Sequence, residues 1–466
     1  IYWYYMQSAK TTPILFIVLL VVGIVIGYPV GYYMAPPKIQ EKIVEKPVYP
    51  LNGEIPIGVM VADTGYMETE GTTVNIAIEE VNNYVKALGL PITFKAYIEN
   101  AEGSATKALE KLQSLYAKGI RIVVGWRFSS HIRACYDYIQ ANKILVVSDG
   151  STSPLLAIPN DFVFRLPTPD TVQGVVIPKI ITDYGVKAIA VLQRGDTWGD
   201  GLYAAIEGNF KKLGGTIIER VRYDPEKTEF SAELAVLASK IDSAIKTYGK
   251  DKVGFLFLGF DEIAVVQSQA KDYPALMSVL WFGSDGSVWS DRLVNEAGQY
   301  ALIVRHISTY ATTTNSTLRM NFAEKHRAKV GYVPGTYAIC LYDSIWLVAK
   351  AILEAATTDT TVLKKILPDV AARYFGASGW CLLDENGDRA AMDYDLWAVI
   401  KESEAKYATF VYYYNVTVGG ERLAWAIIGS YSATTGAIKW FLKPTLGSSS
   451  AGEYHVIVND ANYKLH

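Results

Sequence analysis

Ile122-Val123-Val124-Gly125-Trp126-Arg127-Phe128-Ser129-Ser130 is an apolar run that ends on a glycine and then on two hydroxyls. Apolar or small residues in unbroken succession fit a strand covered on both faces, as in a parallel sheet. The periodic segment that follows, His131 to Asn142, fits a helix. Ser129 and Ser130 therefore fall where the carboxyl end of a strand meets the first turn of a helix. Backbone N–H groups lack intrahelical partners there and the helix dipole is positive, so such a point receives a carboxylate or phosphate. The competing reading is a serine that only caps its helix.

Outward from this stretch, strands and helices alternate. Upstream lie a strand over Ile57–Val61 and a helix whose inner face is Val74, Ile78, Val81, Val85 and Leu88. A strand over Ile92–Ile98 and a helix with Ala105, Ala108, Leu109, Leu112 and Leu115 inward come next. A strand over Ile144–Val147 follows downstream. This is βαβ patterning, which implies a mainly parallel sheet with right-handed crossovers. Pro167-Thr168-Pro169 interrupts it, because neither a helix nor a central strand accommodates that pair of prolines. A second series then runs through strands at Ala188–Leu192, Thr216–Tyr223, Val253–Gly259 and Val279–Gly283, with helices at Leu202–Leu213, Phe230–Tyr248 and Glu262–Lys271. Beyond Ser378 the pattern turns to hairpins. The fold class expected is α/β, with two doubly wound lobes facing each other across a cleft and a β-rich C-terminal tail. The first lobe is expected to comprise residues 53–168 and 301–380, and the second 169–300 and 381–466.

At 466 residues the chain is long enough for two or three cores, and half of it is hydrophobic. A formal net charge of -3 without a basic cluster argues against a nucleic-acid partner. Cys135, Cys340 and Cys381 have no metal-ligand spacing, and Cys135 and Cys340, on apolar helix patterns, read as buried thiols. Pro13 to Met34 holds no charged residue and is long enough to cross a bilayer as a helix. It is read as a retained membrane span in preference to a cleaved signal, after a short N-terminal segment (residues 1–12) and before a proline-containing stalk (residues 35–52). The large domain is then expected outside the cell. The sequons at Asn315 and Asn415 suit that location.

Chemical motifs are few. Gly199-Asp200-Gly201 resembles a dinucleotide fingerprint, but Arg194 to Trp198 intervene after the strand, so these glycines are read as opening a helix beside the cleft. Asp384-Glu385-Asn386-Gly387-Asp388 has calcium-loop letters with its glycine misplaced, and is read as a turn. The five histidines form no metal-spaced pair, and no nucleophile set appears. No catalytic residue, metal or cofactor is expected, and the chain is read as not being an enzyme.

Several segments in this order resemble a known family, the type I solute-binding proteins of branched-chain amino-acid ABC transporters. They are Thr64-Gly65, Gly125 to Ser130, Gly150-Ser151-Thr152-Ser153-Pro154, Asp196 to Gly201, Leu341-Tyr342-Asp343, and Phe375-Gly376 through Asp388-Arg389. The likeness runs from about Gly53 to about Ile400. It implies two lobes joined by a multi-strand hinge, closing on a small solute and delivering it to ABC permease subunits. By position, Ser129 resembles the serine that takes the ligand carboxylate, with Ser130 beside it. Thr152 resembles the threonine at the other end of the ligand, and the Gly150 carbonyl would face its ammonium. Glu262 resembles the acidic residue of the second lobe that pairs with that ammonium, and Trp198 the aromatic that covers the ligand. Glu70 stands where an aromatic is usual, and Arg127 where an apolar residue would touch the ligand side chain. A polar, acidic or amide-bearing solute suits these positions as well as a branched-chain one. Each residue also has an ordinary reading: lobe packing for Trp198, a helix N-terminal carboxylate for Glu262, a surface charge for Arg127. A membrane-anchored sensor and a subunit of a surface filament are the other functions such a chain could serve.

Overall fold

The computed structural model describes residues 49–446 and 448–451, so the expected span at residues 13–34 lies outside the described residues. Among the described residues no helix is long and apolar enough to cross a membrane.

The first sheet contains β1 (Gly53–Val61), β2 (Ile92–Asn100), β3 (Ile122–Gly125), β4 (Leu145–Ser148) and β5 (Val163–Arg165), all parallel, in the order β2-β1-β3-β4-β5. Alternate side chains of each central strand enter different cores, which is why these strands read as unbroken apolar runs. Ile122 and Val124 face the helices Met67–Ala87 and Thr336–Ala355, whereas Val123 faces Ala105–Ala117 and Ser129–Ala141. Gly125 ends β3 at φ +92°, and a Cβ there would lie 2.5 Å from the Met60 carbonyl oxygen. Only glycine lets the chain break away at that point.

The second sheet is built from β6 (Ala188–Arg194), β7 (Thr216–Tyr223), β8 (Val253–Leu258), β9 (Leu280–Phe282) and β10 (Ile307–Ala311). After a small hairpin of β11 (Phe375–Gly376) and β12 (Gly379–Trp380), it gains β13 (Tyr394–Lys401), β14 (Phe410–Val418), β15 (Glu421–Tyr431) and β16 (Ile438–Trp440). The order is β7-β6-β8-β9-β10-β13-β15-β14, with β16 also on β15. Strands β6 to β10 are parallel to one another, and β13 to β16 add in antiparallel fashion. The β-rich tail thus extends the second sheet.

One expected boundary moves. The first lobe was expected to resume at residue 301, but the helix Asp291–Val304 and β10 belong to the second lobe. Ile307 pairs with Phe282 of β9, and residues 307–311 pair with β13, so the chain cannot leave that sheet before Ala311. It then returns to the first lobe with the helix Thr317–Val330, whose Phe322 enters the first lobe's core.

The chain passes between lobes three times: after β5, after β10, and between β12 and β13. The first and third passages are stapled together. Arg165 donates to both carboxylate oxygens of Asp388 and, through Nη1, to the Ser153 carbonyl at 2.7 Å. Arg389 donates to the Leu166 carbonyl at 3.1 Å and the Ser378 hydroxyl at 2.7 Å. Asp384 closes the neighbouring turn by accepting from Asn386 and Asp388 N–H groups, with Gly387 at φ +75°.

Candidate functional site

A cavity of about 660 Å³ lies between the lobes. Its walls are the loops that follow the strands: Asp63–Tyr66 after β1, Glu102–Gly103 after β2, Arg127–Ser130 after β3 and Gly150 after β4. From the other lobe come Arg194–Trp198 at the end of β6, Glu226 after β7, Phe260–Asp261 after β8 and Asp285–Trp289 after β9. The parallel strands of both sheets therefore direct their carboxyl ends at one space, where ligands of open α/β sheets bind.

Of the expected residues, Arg127, Ser129, Ser130, Gly150 and Trp198 line this cavity. The helix Ser129–Ala141 takes Phe128 as its cap residue, which supplies no side-chain bond, so Ser129 is not a capping serine. Its hydroxyl is hydrogen-bonded to that of Ser151 at 2.9 Å and accepts from the Ser153 N–H at 3.3 Å. Gly150 approaches Arg127 so closely that a Cβ would sit 2.7 Å from Arg127 Cγ. Trp198 packs on Phe260 with ring centroids 4.8 Å apart.

Three expected ligand contacts are not among the lining residues. The Glu262 carboxylate accepts from Arg194 Nη1 at 2.9 Å and from the Tyr223 hydroxyl at 2.7 Å, so protein donors already hold it. The Thr152 hydroxyl donates to Asp170 at 2.8 Å, which ties it to the hinge. Glu70 is fully buried behind Arg127 and accepts from its Nε at 2.9 Å. The two departures from the family pattern, Glu70 and Arg127, are thus partners in one ion pair, and Arg127 is no surface charge. Its guanidinium rests 4.1 Å from the Tyr66 ring centroid and 5.2 Å from that of Tyr337.

Other lining residues were not singled out from the sequence. Phe128 and Phe260, one from each lobe, stack at 5.4 Å and 14°. Trp289 stacks on Tyr310 at 5.3 Å, and Tyr310 meets the Tyr337 edge at 5.6 Å. Phe260, Asp261 and Asp285 follow strand ends just as Ser129 does, so that rule could have found them. Tyr310 and Tyr337 flank the second passage between lobes and carry no such signal.

Asp149, fully buried, has neither carboxylate oxygen hydrogen-bonded to protein. Burial pushes its carboxyl well above the usual 3.8, the nearby Glu70 adds to the rise, and Arg127 opposes it. A raised folded value means that the native state keeps this proton where the unfolded chain has lost it. Stability therefore falls as pH rises from about 4 through the raised value. Asp149→Asn is expected to be near neutral at pH 4 and stabilising by about 1–3 kcal/mol at pH 8. Thermal melts of both chains across that range test it, and a gain independent of pH would contradict the assignment.

With this geometry in view, comparison with known proteins identifies the family. The model of the receptor family ligand binding region matches residues 69–402. The chain belongs to that family. An uncharacterised protein of Methanocaldococcus jannaschii is 29% identical over 410 residues, covering 83% of this chain and 91% of its own. An amino acid binding protein of Pseudomonas aeruginosa is 27% identical over 281 residues, covering 59% and 71% of the two chains. A leucine binding protein of Thermotoga maritima superposes with a TM-score of 0.61 at 21% identity, covering 75% of this chain and 95% of its own. The architecture is that of the type I periplasmic binding proteins.

Proposed function

We propose that the chain is the extracytoplasmic solute-binding component of an ABC transporter, capturing an amino acid or similar small polar metabolite between its lobes. The observation that carries this reading is the cavity walled by strand-end loops of both lobes. A solute touching both walls favours the closed arrangement by its differential affinity, which is how hinge closure becomes ligand-dependent. The names of the Pseudomonas and Thermotoga relatives support amino acids as the first solutes to try. The uncharged run at residues 13–34 supports a tether that holds the domain outside the membrane, near permease subunits.

Native mass spectrometry of the purified chain, followed by calorimetry with whatever solute it carries, tests the reading. A stoichiometric small molecule and a radius of gyration that shrinks on its return are expected. Absence of any bound or binding solute would remove the proposal. Ser129→Ala should weaken binding by about 0.5–1.5 kcal/mol. It frees Ser151 and the Ser153 N–H but leaves the helix-end N–H groups in place, so a loss of several kcal/mol would mean that the hydroxyl itself holds a charged group. For the tether, the full chain is expected to sediment with membranes and a version lacking residues 1–48 to be released. Equal sedimentation would count against it.

A further inference from the structure

We infer that the solute is a small organic cation, whose ammonium or guanidinium group sits against the Trp289 ring and the carboxylates of Asp261 and Asp285. This deepens the solute-binding reading and rests on it. The first observation is the charge inventory of the wall. Six carboxylates line the cavity (Asp63, Glu102, Asp196, Glu226, Asp261 and Asp285) against two guanidiniums, those of Arg127 and Arg194, and of the six the exposed Glu102 is already paired with Lys107 outside the lining.

Neither guanidinium is spare. Arg127 is ion-paired with the buried Glu70 at 2.9 Å, and Arg194 with Asp196 and Glu262, each at 2.9 Å. Glu70 and Glu262 lie behind the lining, so counting them enlarges the negative excess. Fully buried Asp149, whose carboxyl burial keeps protonated, adds no charge to either side. A neutral or anionic solute would leave this excess desolvated on closure, whereas a cation compensates it.

The second observation is aromatic and independent of the first. Phe128, Phe260, Trp198, Tyr66, Trp289, Tyr310 and Tyr337 all line the cavity. Ring faces attract cations, most strongly where water is excluded. The protein's own cations already use this surface: Arg127 lies over Tyr66, and Arg194 lies 4.7 Å from the Phe260 centroid.

The third observation is unmet polar capacity in the wall. Asp285 accepts from the Tyr337 hydroxyl through Oδ2, while its Oδ1 is buried without a hydrogen-bond partner. Trp289, at φ +65°, holds its Nε1 buried and likewise unpartnered. A left-handed backbone at a tryptophan is sterically unfavourable, and such strain persists where the surrounding fold holds it. Trp289 and Asp285 line the same cavity.

Calorimetry on the full chain, freed of any co-purified solute, decides the matter with cations and counterparts that each carry one positive charge fewer. Lysine is compared with norleucine, and choline with dimethylbutanol. At least one cation is expected to bind 30-fold or more tightly than its isostere, in line with the cost of leaving a desolvated charge unpaired. Asp285→Asn, which retains an acceptor for Tyr337, is then expected to weaken that cation tenfold or more. It should leave the isostere within about twofold, a split that general damage to the fold would not produce. Norleucine or leucine binding as tightly as lysine, with choline no better than dimethylbutanol, would overturn the cation assignment and leave the solute-binding reading standing. No binding by any amine or amino acid, with no small molecule co-purifying, would overturn both.

Discussion

Asp388→Ala is expected to lower the unfolding free energy by about 3–5 kcal/mol, because it strands a buried guanidinium. Arg165 and Asp388 are each 1% exposed, and their two-pronged pairing joins the first and third passages between the lobes. Backbone bonds run alongside it, from the Arg165 N–H to the Gly387 carbonyl at 2.9 Å and from the Arg389 N–H to the Arg165 carbonyl at 3.0 Å. With the carboxylate gone, the guanidinium keeps only the Ser153 carbonyl, and water cannot reach it. Urea denaturation should show the midpoint falling with little change in slope. The pair's net worth is a separate matter, since two desolvated charges replaced by apolar residues of similar volume often lose little. Arg165→Met with Asp388→Leu should therefore recover most of the loss. A single variant that unfolds at the wild-type midpoint would mean that the pair is solvated in solution and that the hinge is held by backbone alone.

Gly201→Val is expected to weaken solute binding about tenfold to a hundredfold while leaving both lobes folded. Gly201 lies in the helix Thr197–Lys212 of the second lobe, and a Cβ there would meet Ser153 Oγ at 2.3 Å and Pro154 Cδ at 2.9 Å, both in the first lobe. The Ser153 hydroxyl donates to the Thr197 carbonyl at 2.7 Å, a direct bond between lobes at the cavity's edge. Added methyl groups wedge that contact apart, and overpacking of this kind costs about 1–3 kcal/mol. Helix propensity moves the other way, since valine is less unfavourable than glycine in a helix interior. The penalty thus falls on closure and not on folding. A larger radius of gyration and an unchanged melting temperature are the expected signatures. Wild-type affinity in this variant would show that the solute binds without the lobes meeting at Ser153.

Much of the architecture was legible before any coordinates, for reasons that are local. Strands covered on both faces must be apolar at successive positions, so β3, β4 and β8 announce a parallel sheet. Gly125 marks a break because no other residue fits 2.5 Å from the Met60 carbonyl. Because parallel sheets expose ligands at strand ends, Ser129 and Ser130 could be placed at the cleft from position alone, whereas Arg127 and Trp198 were named through the family resemblance.

Tertiary structure alone decided which charges cancel. Glu70 finds Arg127 57 positions away, and Glu262 finds Arg194 68 positions away. Each pairing removes an acid from the solute's reach, and no spacing rule encodes such a meeting. Strand partnership likewise decided where the first lobe resumes, because β10 stays in the second sheet through its bonds to β9 and β13. The aromatic wall of Tyr310 and Tyr337 follows from that late return. Periodicity records which face of an element is buried, but what lies opposite that face is settled only when distant elements meet and desolvate one another's charges.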